Sequence, residues 1–489
     1  FPNAEFGSQA GDIVTARADD VALDALALDG RVEAVDAGVR TRPVMDAVRS
    51  SSTNAGSALG TIYGAAATDL AGTTGSGVIV GIVDTGIDYK HKDFLIENSY
   101  PATSTSRILY IWDQTISSHA GGPFPTGFSY GAEYTNAQLT TKIQTTVGTI
   151  NTADTNGHGT HVAAIAAGDG SETGSFKGMA PSADIIFVRT TFGTADVVDG
   201  VNYIVTQAAA AGKRAVINLS LGTQTGPHDG SSTFESSLGA IAANTPVVVA
   251  MGNDGAASPH AGANVGAGGT AGFVVSVNDV TADADIEFWH PGGDAYTATV
   301  DMTGVGGSLS ATAGANQSTT LSGHSVQIFN GTNVGHPLGH KKVYVYVNRG
   351  AGITATAINV TLARTTNGGT GRVDGWVDPA GEFISFASNV DNTRTLGEPA
   401  CAPNVFGVAS YASKKYWNAS DGFTYNYTDQ SALGNLSAFS SQGPTRDGRQ
   451  QPEITAPGDV IAAALSSDTS PSASLILTDL RHRIMRGTS

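Results

Sequence analysis

Cysteine is nearly missing from this chain: Cys401 is the only one in 489 residues. A single thiol excludes an intrachain disulfide and a four-thiolate zinc site. It lies in GEPACAPNVFGVASY, among small apolar residues with nothing nearby to lower its pKa, so a buried and inert thiol is expected. Basic residues are also scarce, with 26 Lys and Arg against 43 Asp and Glu and a net charge of −17. A nucleic-acid partner needs a basic face to neutralise phosphates, and none is expected here. No apolar run approaches the ~20 residues needed to cross a bilayer, so no transmembrane segment is expected either. What remains is 40% hydrophobic, 14% charged and rich in glycine, the make-up of a globular protein with many turns and close contacts. The length suits two or three domains.

Five stretches differ in texture. Residues 1–50 form a small α+β segment: IVTARA reads as a strand, DDVALDALALDG as a helix capped by Asp19 or Asp20, and VEAVDAG as a second strand. Residues 51–76 read as a linker, continuing the small polar run RSSSTNAGSALG. Residues 77–271 alternate buried strands (GVIVGIVDTG, ADIIFVR, RAVINLSLG, TPVVVAMGNDG) with helices (HVAAIAAG, DVVDGVNYIVTQAAAAGK). That order implies a parallel sheet with right-handed crossovers. From 272 to 395 the chain turns to short β runs, among them DIEFWHPG, HSVQIFNG and KKVYVYVNRG. Val343, Val345 and Val347 alternate there with Tyr344 and Tyr346, and the stretch reads as an inserted β-sandwich or jelly roll. Residues 396–489 return to α/β character. The expected class is therefore α/β, a parallel sheet flanked by helices, with a small α+β lobe in front and an all-β insertion.

Three phrases carry candidate chemistry. GIVDTGID puts Asp84 at the carboxyl end of a buried strand, where open α/β sheets build their sites. NGHGTHVAAIAAG puts His158 at the start of a helix, between glycines that allow close approach. RGTS ends on Ser489. Singly these are weak signals, since an Asp at a strand end is often a helix cap and a His in a Gly-rich turn is more often structural. His158 and His161 could also be read as a metal pair, but no third ligand follows on that helix face, so no metal ligands are assigned.

In this order, with these flanks, VDTGID, HGTHVA and GTS resemble the three signature motifs of the subtilisin-like serine peptidases, the subtilases. INLSLG at 217–222, AMGNDG at 250–255 and FSSQGPTRDGRQQPEITAPG at 439–458 extend the resemblance. It implies a subtilisin-like fold and a serine endopeptidase, made as a zymogen, working through an Asp84–His158–Ser489 triad and an acyl-enzyme. Asn253 would donate to the oxyanion, Ser220, Leu221 and Gly222 would pair with an extended peptide, and His161 would be structural. No cofactor is required; the resemblance leaves room for a structural calcium, with DVTADADIE as the best local stretch, although it lacks the spacing of a known calcium loop and reads first as solvated linker. Expected partners are protein or peptide substrates and the chain's own propeptide, represented by part of residues 1–50 and cleaved between about Arg49 and Gly60. A secreted or cell-surface location follows by the same inference. The alternatives are a catalytically silent relative acting as a scaffold or regulator through its β insert, and an adhesin-like binding protein carried by that insert. In the family the nucleophile opens a long buried helix. A chain truly ending at Ser489 would place a carboxylate beside the oxyanion site and should be inactive, so the expectation is either a remainder present as a separate C-terminal segment or a nicked or truncated form.

Overall fold

The computed structural model describes residues 73–96, 100–116, 122–277, 283–331, 339–348, 357–379 and 383–489, together with the backbone of 4–10 and 13–18. The chain divides into two units, one of residues 1–42 and 50–71, the other of residues 43–49 and 72–489. In the first, strand Ile13–Ala18 pairs antiparallel with Ala4–Ala10. The helix and second strand expected in this segment, and the linker, lie outside the described residues.

The second unit is organised on an eight-stranded sheet. Its order is Ile454–Asp459, Phe406–Ala412, Val247–Ala250, Arg214–Leu219, Val78–Asp84, Asp184–Arg189, Ile108–Asp113 and Ala132–Thr135. Every neighbouring pair is parallel except the last. Strand Val78–Asp84 is central because it is apolar on both faces, as a strand covered on both sides must be. Ile79 and Val83 face one core, shared with helix Thr194–Ala210, while Ile82 faces the other, shared with helix His158–Ala167. The longer helix buries Val197, Val201, Ile204 and Ala208, one stripe at helical spacing. It packs so closely that a Cβ at Gly81 would lie 2.4 Å from the Ile204 side chain.

Neighbouring parallel strands are normally joined by a crossover helix. The connection between Val247–Ala250 and Phe406–Ala412 instead carries two antiparallel sheets. One is six-stranded, with order His260–Asn264, Arg372–Val377, Ala284–His290, Lys341–Asn348, His324–Asn330, Asn316–Leu321. The other is five-stranded, with order Val305–Ala311, Asp294–Met302, Ala357–Asn367, Thr270–Val277, Ile384–Phe386. Alternate residues of both sheets meet in one core, including Val343, Val345 and Val347 from one and Ile358, Val360 and Leu362 from the other.

Two differences from expectation have physical causes. The sandwich begins at His260, ahead of residue 272, because HAGAN is too rich in small residues to read as a strand. Val305–Ala311 and Asn316–Leu321 are the outer strands of their sheets, and their exposed, polar make-up carries no apolar alternation. The sandwich is tied to the rest of the unit by contacts such as Trp376 stacked on His228, with ring centroids 4.2 Å apart and planes 8° from parallel. Glu287 adds to this by accepting from the Gly226 N–H at 3.0 Å.

Candidate active site

Asp84 ends the central strand, at the point where the sheet's connections diverge to either side. Its side chain is fully buried. Oδ1 accepts from the Thr85 N–H at 2.7 Å and from Nδ1 of His158 at 2.7 Å. A carboxylate can only accept, so the His158 proton is held on Nδ1 and Nε2 presents a lone pair when the ring is neutral. The ring keeps 24% of its surface open to solvent.

His158 begins the helix His158–Ala167, and the turn before it explains its placement. Gly157 sits in the left-handed region at φ 85°, where a side chain would be strained. A Cβ at Gly159 would fall 2.2 Å from the Gly86 carbonyl, so only glycine lets this helix approach the loop after Asp84. Asp154 ties the two segments. Its Oδ1 accepts from the Gly157 N–H and Thr85 Oγ1 at 2.8 and 2.9 Å. Its Oδ2 accepts from the Thr160 N–H and Oγ1 at 2.9 and 2.6 Å. Sequence reasoning passed over Asp154; the signal available was an Asp just ahead of a helix, the usual place for a cap. Burial acts to lower the His158 pKa, but the charge and hydrogen bond of Asp84 outweigh it, and the net shift is upward.

Ser489 and His158 line one cleft of about 200 Å³, together with Asn218, Ser220 and the apolar Val162 and Val249. The Ser489 hydroxyl lies 3.5 Å from the Ser220 carbonyl, and the Ser220 hydroxyl donates to the Ser489 carbonyl at 3.2 Å. The residue before it is anchored: the Thr488 N–H donates to Asn253 Oδ1 at 2.8 Å, and Thr488 Oγ1 accepts from the Gly252 N–H at 3.1 Å. With its oxygen so engaged, Asn253 presents its amide N–H groups as the remaining donors. Leu221 and Gly222 continue from the end of strand Arg214–Leu219, just before Thr223 pairs with Glu398 in an isolated antiparallel bridge.

His161 also lines this cleft, but its ring is engaged by backbone rather than by the candidate catalytic residues. It is buried, its Nε2 lies 3.2 Å from the Ile461 carbonyl and 3.3 Å from that of Arg483, and burial pushes its pKa down to about 3. Cys401 is buried in the core beside Leu396 and Ala400, where desolvation raises its thiol pKa. Of the acidic stretch considered for calcium, Asp283 accepts from Tyr346 at 2.6 Å, Asp285 accepts from Tyr344, and Glu287 pairs with Lys342 at 2.6 Å.

Comparison with known proteins gives a consistent result. The profile of the Subtilase family matches residues 75–375 and 367–489. Subtilisin-like protease SBT2.2 of Arabidopsis thaliana is 32% identical over 213 residues, which make up 37% of this chain and 23% of that protein. The major intracellular serine protease of Bacillus subtilis (strain 168) is 37% identical over 110 residues, 21% of this chain and 31% of that one. The matched region thus spans about a quarter to a third of the length of these relatives. Among solved structures, the Clostridium perfringens CspB protease superposes with a TM-score of 0.66 at 23% identity, over 85% of this chain and 79% of that one, a likeness of fold.

Proposed function

The chain belongs to the subtilase family, and we propose from this that it is a serine endopeptidase whose nucleophile is Ser489. One observation carries the reading: His158 is held by Asp84 at 2.7 Å and lines the same cleft as Ser489. An unassisted hydroxyl is too weak a nucleophile to attack an amide, so a base is required. His158 Nε2 would take the Ser489 proton as Oγ bonds to the peptide carbonyl carbon, and would return it to the leaving amine. Asp84 would hold the tautomer and stabilise the imidazolium. The Asn253 amide would donate to the oxyanion, and Ser220–Gly222 would align an extended substrate backbone. Water then hydrolyses the acyl-enzyme by the same proton path. This chemistry draws only on side chains of the chain, and structural calcium remains a separate proposal. Residues 1–50 would serve as a propeptide, and activity outside the cell fits a chain whose one thiol is buried; an active enzyme still beginning at Phe1 on N-terminal sequencing would oppose the zymogen reading.

The test is covalent labelling with a fluorophosphonate. Labelling of the parent, lost in Ser489→Ala and in His158→Ala, supports the assignment. A folded parent that takes no label would favour the silent scaffold, with the sandwich as its working part.

A further inference from the structure

Away from the cleft, three side chains converge under the turn at 479–481. His91 caps, and Asp93 lies in, the short 3-10 helix Lys92–Phe94 on the segment that follows Asp84, and His482 opens the strand His482–Met485. All three are buried, and one ligand atom from each lies within 4.8 Å of the other two. His482 Nε2 is 3.4 Å from Asp93 Oδ2, and His91 Nδ1 is 3.8 Å from the same oxygen. We propose that His91 Nδ1, Asp93 Oδ2 and His482 Nε2 form a binding site for a borderline divalent cation of the zinc class, which ties together the two segments that carry Asp84 and Ser489.

The outward atoms support this as much as the inward ones. A ligating imidazole normally has its other nitrogen fixed by a carboxylate or carbonyl. Here Nδ1 of His482 is 2.8 Å from Asp479 Oδ2, and Nε2 of His91 is 3.2 Å from the Arg481 carbonyl. The second oxygen of Asp93 accepts from the Glu172 N–H at 2.9 Å, which leaves Oδ2 to face the two rings. Tetrahedral zinc, with bonds of roughly 2.0–2.2 Å, places its ligand atoms about 3.4 Å apart. His482 Nε2 already stands at that distance from Asp93 Oδ2, His91 Nδ1 is slightly farther at 3.8 Å, and the two rings, whose ligand atoms lie within 4.8 Å of each other, would close the rest on binding. Two nitrogens and one oxygen suit zinc, cobalt or nickel; calcium takes roughly six to eight oxygens. Water or a neighbouring oxygen would complete the shell.

Two groups compete with the ion. The Asp93 N–H donates to His91 Nδ1 over a long 3.3 Å, and that bond must give way. His482 Nε2 lies 3.4 Å from Asp93 Oδ2, and that direct contact must open to admit the ion. The charge around the site favours the ion: Asp93 and Asp479 face His482, while Glu172 is matched by Arg481 at 3.4 Å and Arg107 donates to the carbonyls of Asp93 and Ala167. The consequence lies in connectivity. His482–Met485 pairs with Ile461–Ala464 and leads directly to Gly487, Thr488 and Ser489. An ion here would hold that hairpin to the Asp84 loop without touching the cleft.

The experiment uses the full chain with His158→Ala, so that the Asp84–His158 pair cannot bind metal and the protein cannot digest itself. After chelation, zinc or cobalt is added and the protein is dialysed. The expected result is about one ion retained per chain, a rise in thermal midpoint, and the intense visible bands of four-coordinate cobalt. Retention should be lost in His482→Gln and in Asp93→Asn, and Asp479→Asn should weaken binding by roughly ten- to a hundredfold. If the first two variants do not fold, the cobalt spectrum and Asp479→Asn decide. No retained ion, a weak octahedral spectrum, or retention unaffected by these substitutions would overturn the proposal.

Discussion

Asn253 separates two tasks within one side chain. Its oxygen holds the Thr488 N–H, and its nitrogen is the candidate oxyanion donor. Asn253→Asp keeps an acceptor for Thr488 and removes the donor, so kcat should fall by about a hundred- to a thousandfold while Thr488 stays anchored. Steady-state kinetics beside a thermal melt would check this, and a large loss of stability with intact kcat would contradict it. His158 makes a second residue-scale prediction. Its pKa is raised by Asp84 against the pull of burial, and catalysis needs the neutral ring. The acid limb of kcat/KM should therefore fall above the ordinary imidazole value of about 6.5. In Asp84→Asn the limb should move to lower pH, with kcat reduced by about four orders of magnitude. A limb that stays in place would detach His158 from Asp84.

At the scale of the element, helix His158–Ala167 is positioned by what precedes it. Asp154 satisfies donors of the first turn and links them to Thr85 beside Asp84. Asp154→Ala leaves several buried donors without partners and should cost about 2–4 kcal/mol in chemical denaturation. Because the ring loses its mount, kcat should fall more than KM rises. The helix and its sheet neighbours were legible in the sequence through apolar runs and helical spacing. Asp154 was legible only as a helix-cap candidate, because its bond to Thr85 Oγ1, beside Asp84, joins segments that only the fold brings together. The outer strands of the sandwich escaped notice for a different reason: with one side against solvent and few apolar residues, they differ little from loops in sequence.

For the whole molecule, buried histidines set the acid side of stability. Burial pushes the pKa of His161 down to about 3 and those of His228 and His290 to about 4. Each takes up a proton near pH 6.5 when unfolded, so the unfolded chain binds more protons in the window between and stability falls as pH drops through it. Glu398 works the other way, since burial raises its pKa to about 7 and its contribution is lost as pH rises from its ordinary value of 4.5 towards 7. Glu235, also raised by burial and by the charge of Glu398, adds to that opposition. Asp169, Asp254 and Asp459 are raised by burial as well and join the carboxyls, so the rings are tested singly. Removing one titrating ring in His228→Gln should lessen the loss of stability between about pH 6.5 and about pH 4.5, by at most about 1.4 kcal/mol per pH unit. Denaturant titrations of parent and variant would show it, and parallel profiles would refute it. His228 also stacks on Trp376, so its protonation should loosen the seat of the sandwich first.

The sequence by itself determined the central sheet, the buried helices, the presence of a β insertion and the identity of the candidate residues, because these depend on local periodicity and short motifs. Tertiary structure decided how those residues meet. Asp84 and His158 are far apart in the chain, and their 2.7 Å contact exists because two glycines let a helix end settle against a strand end. The anchoring of Thr488 by Asn253 and the convergence of His91, Asp93 and His482 arise in the same way. Such contacts depend on which segments the fold brings together, and local sequence pattern carries no record of that.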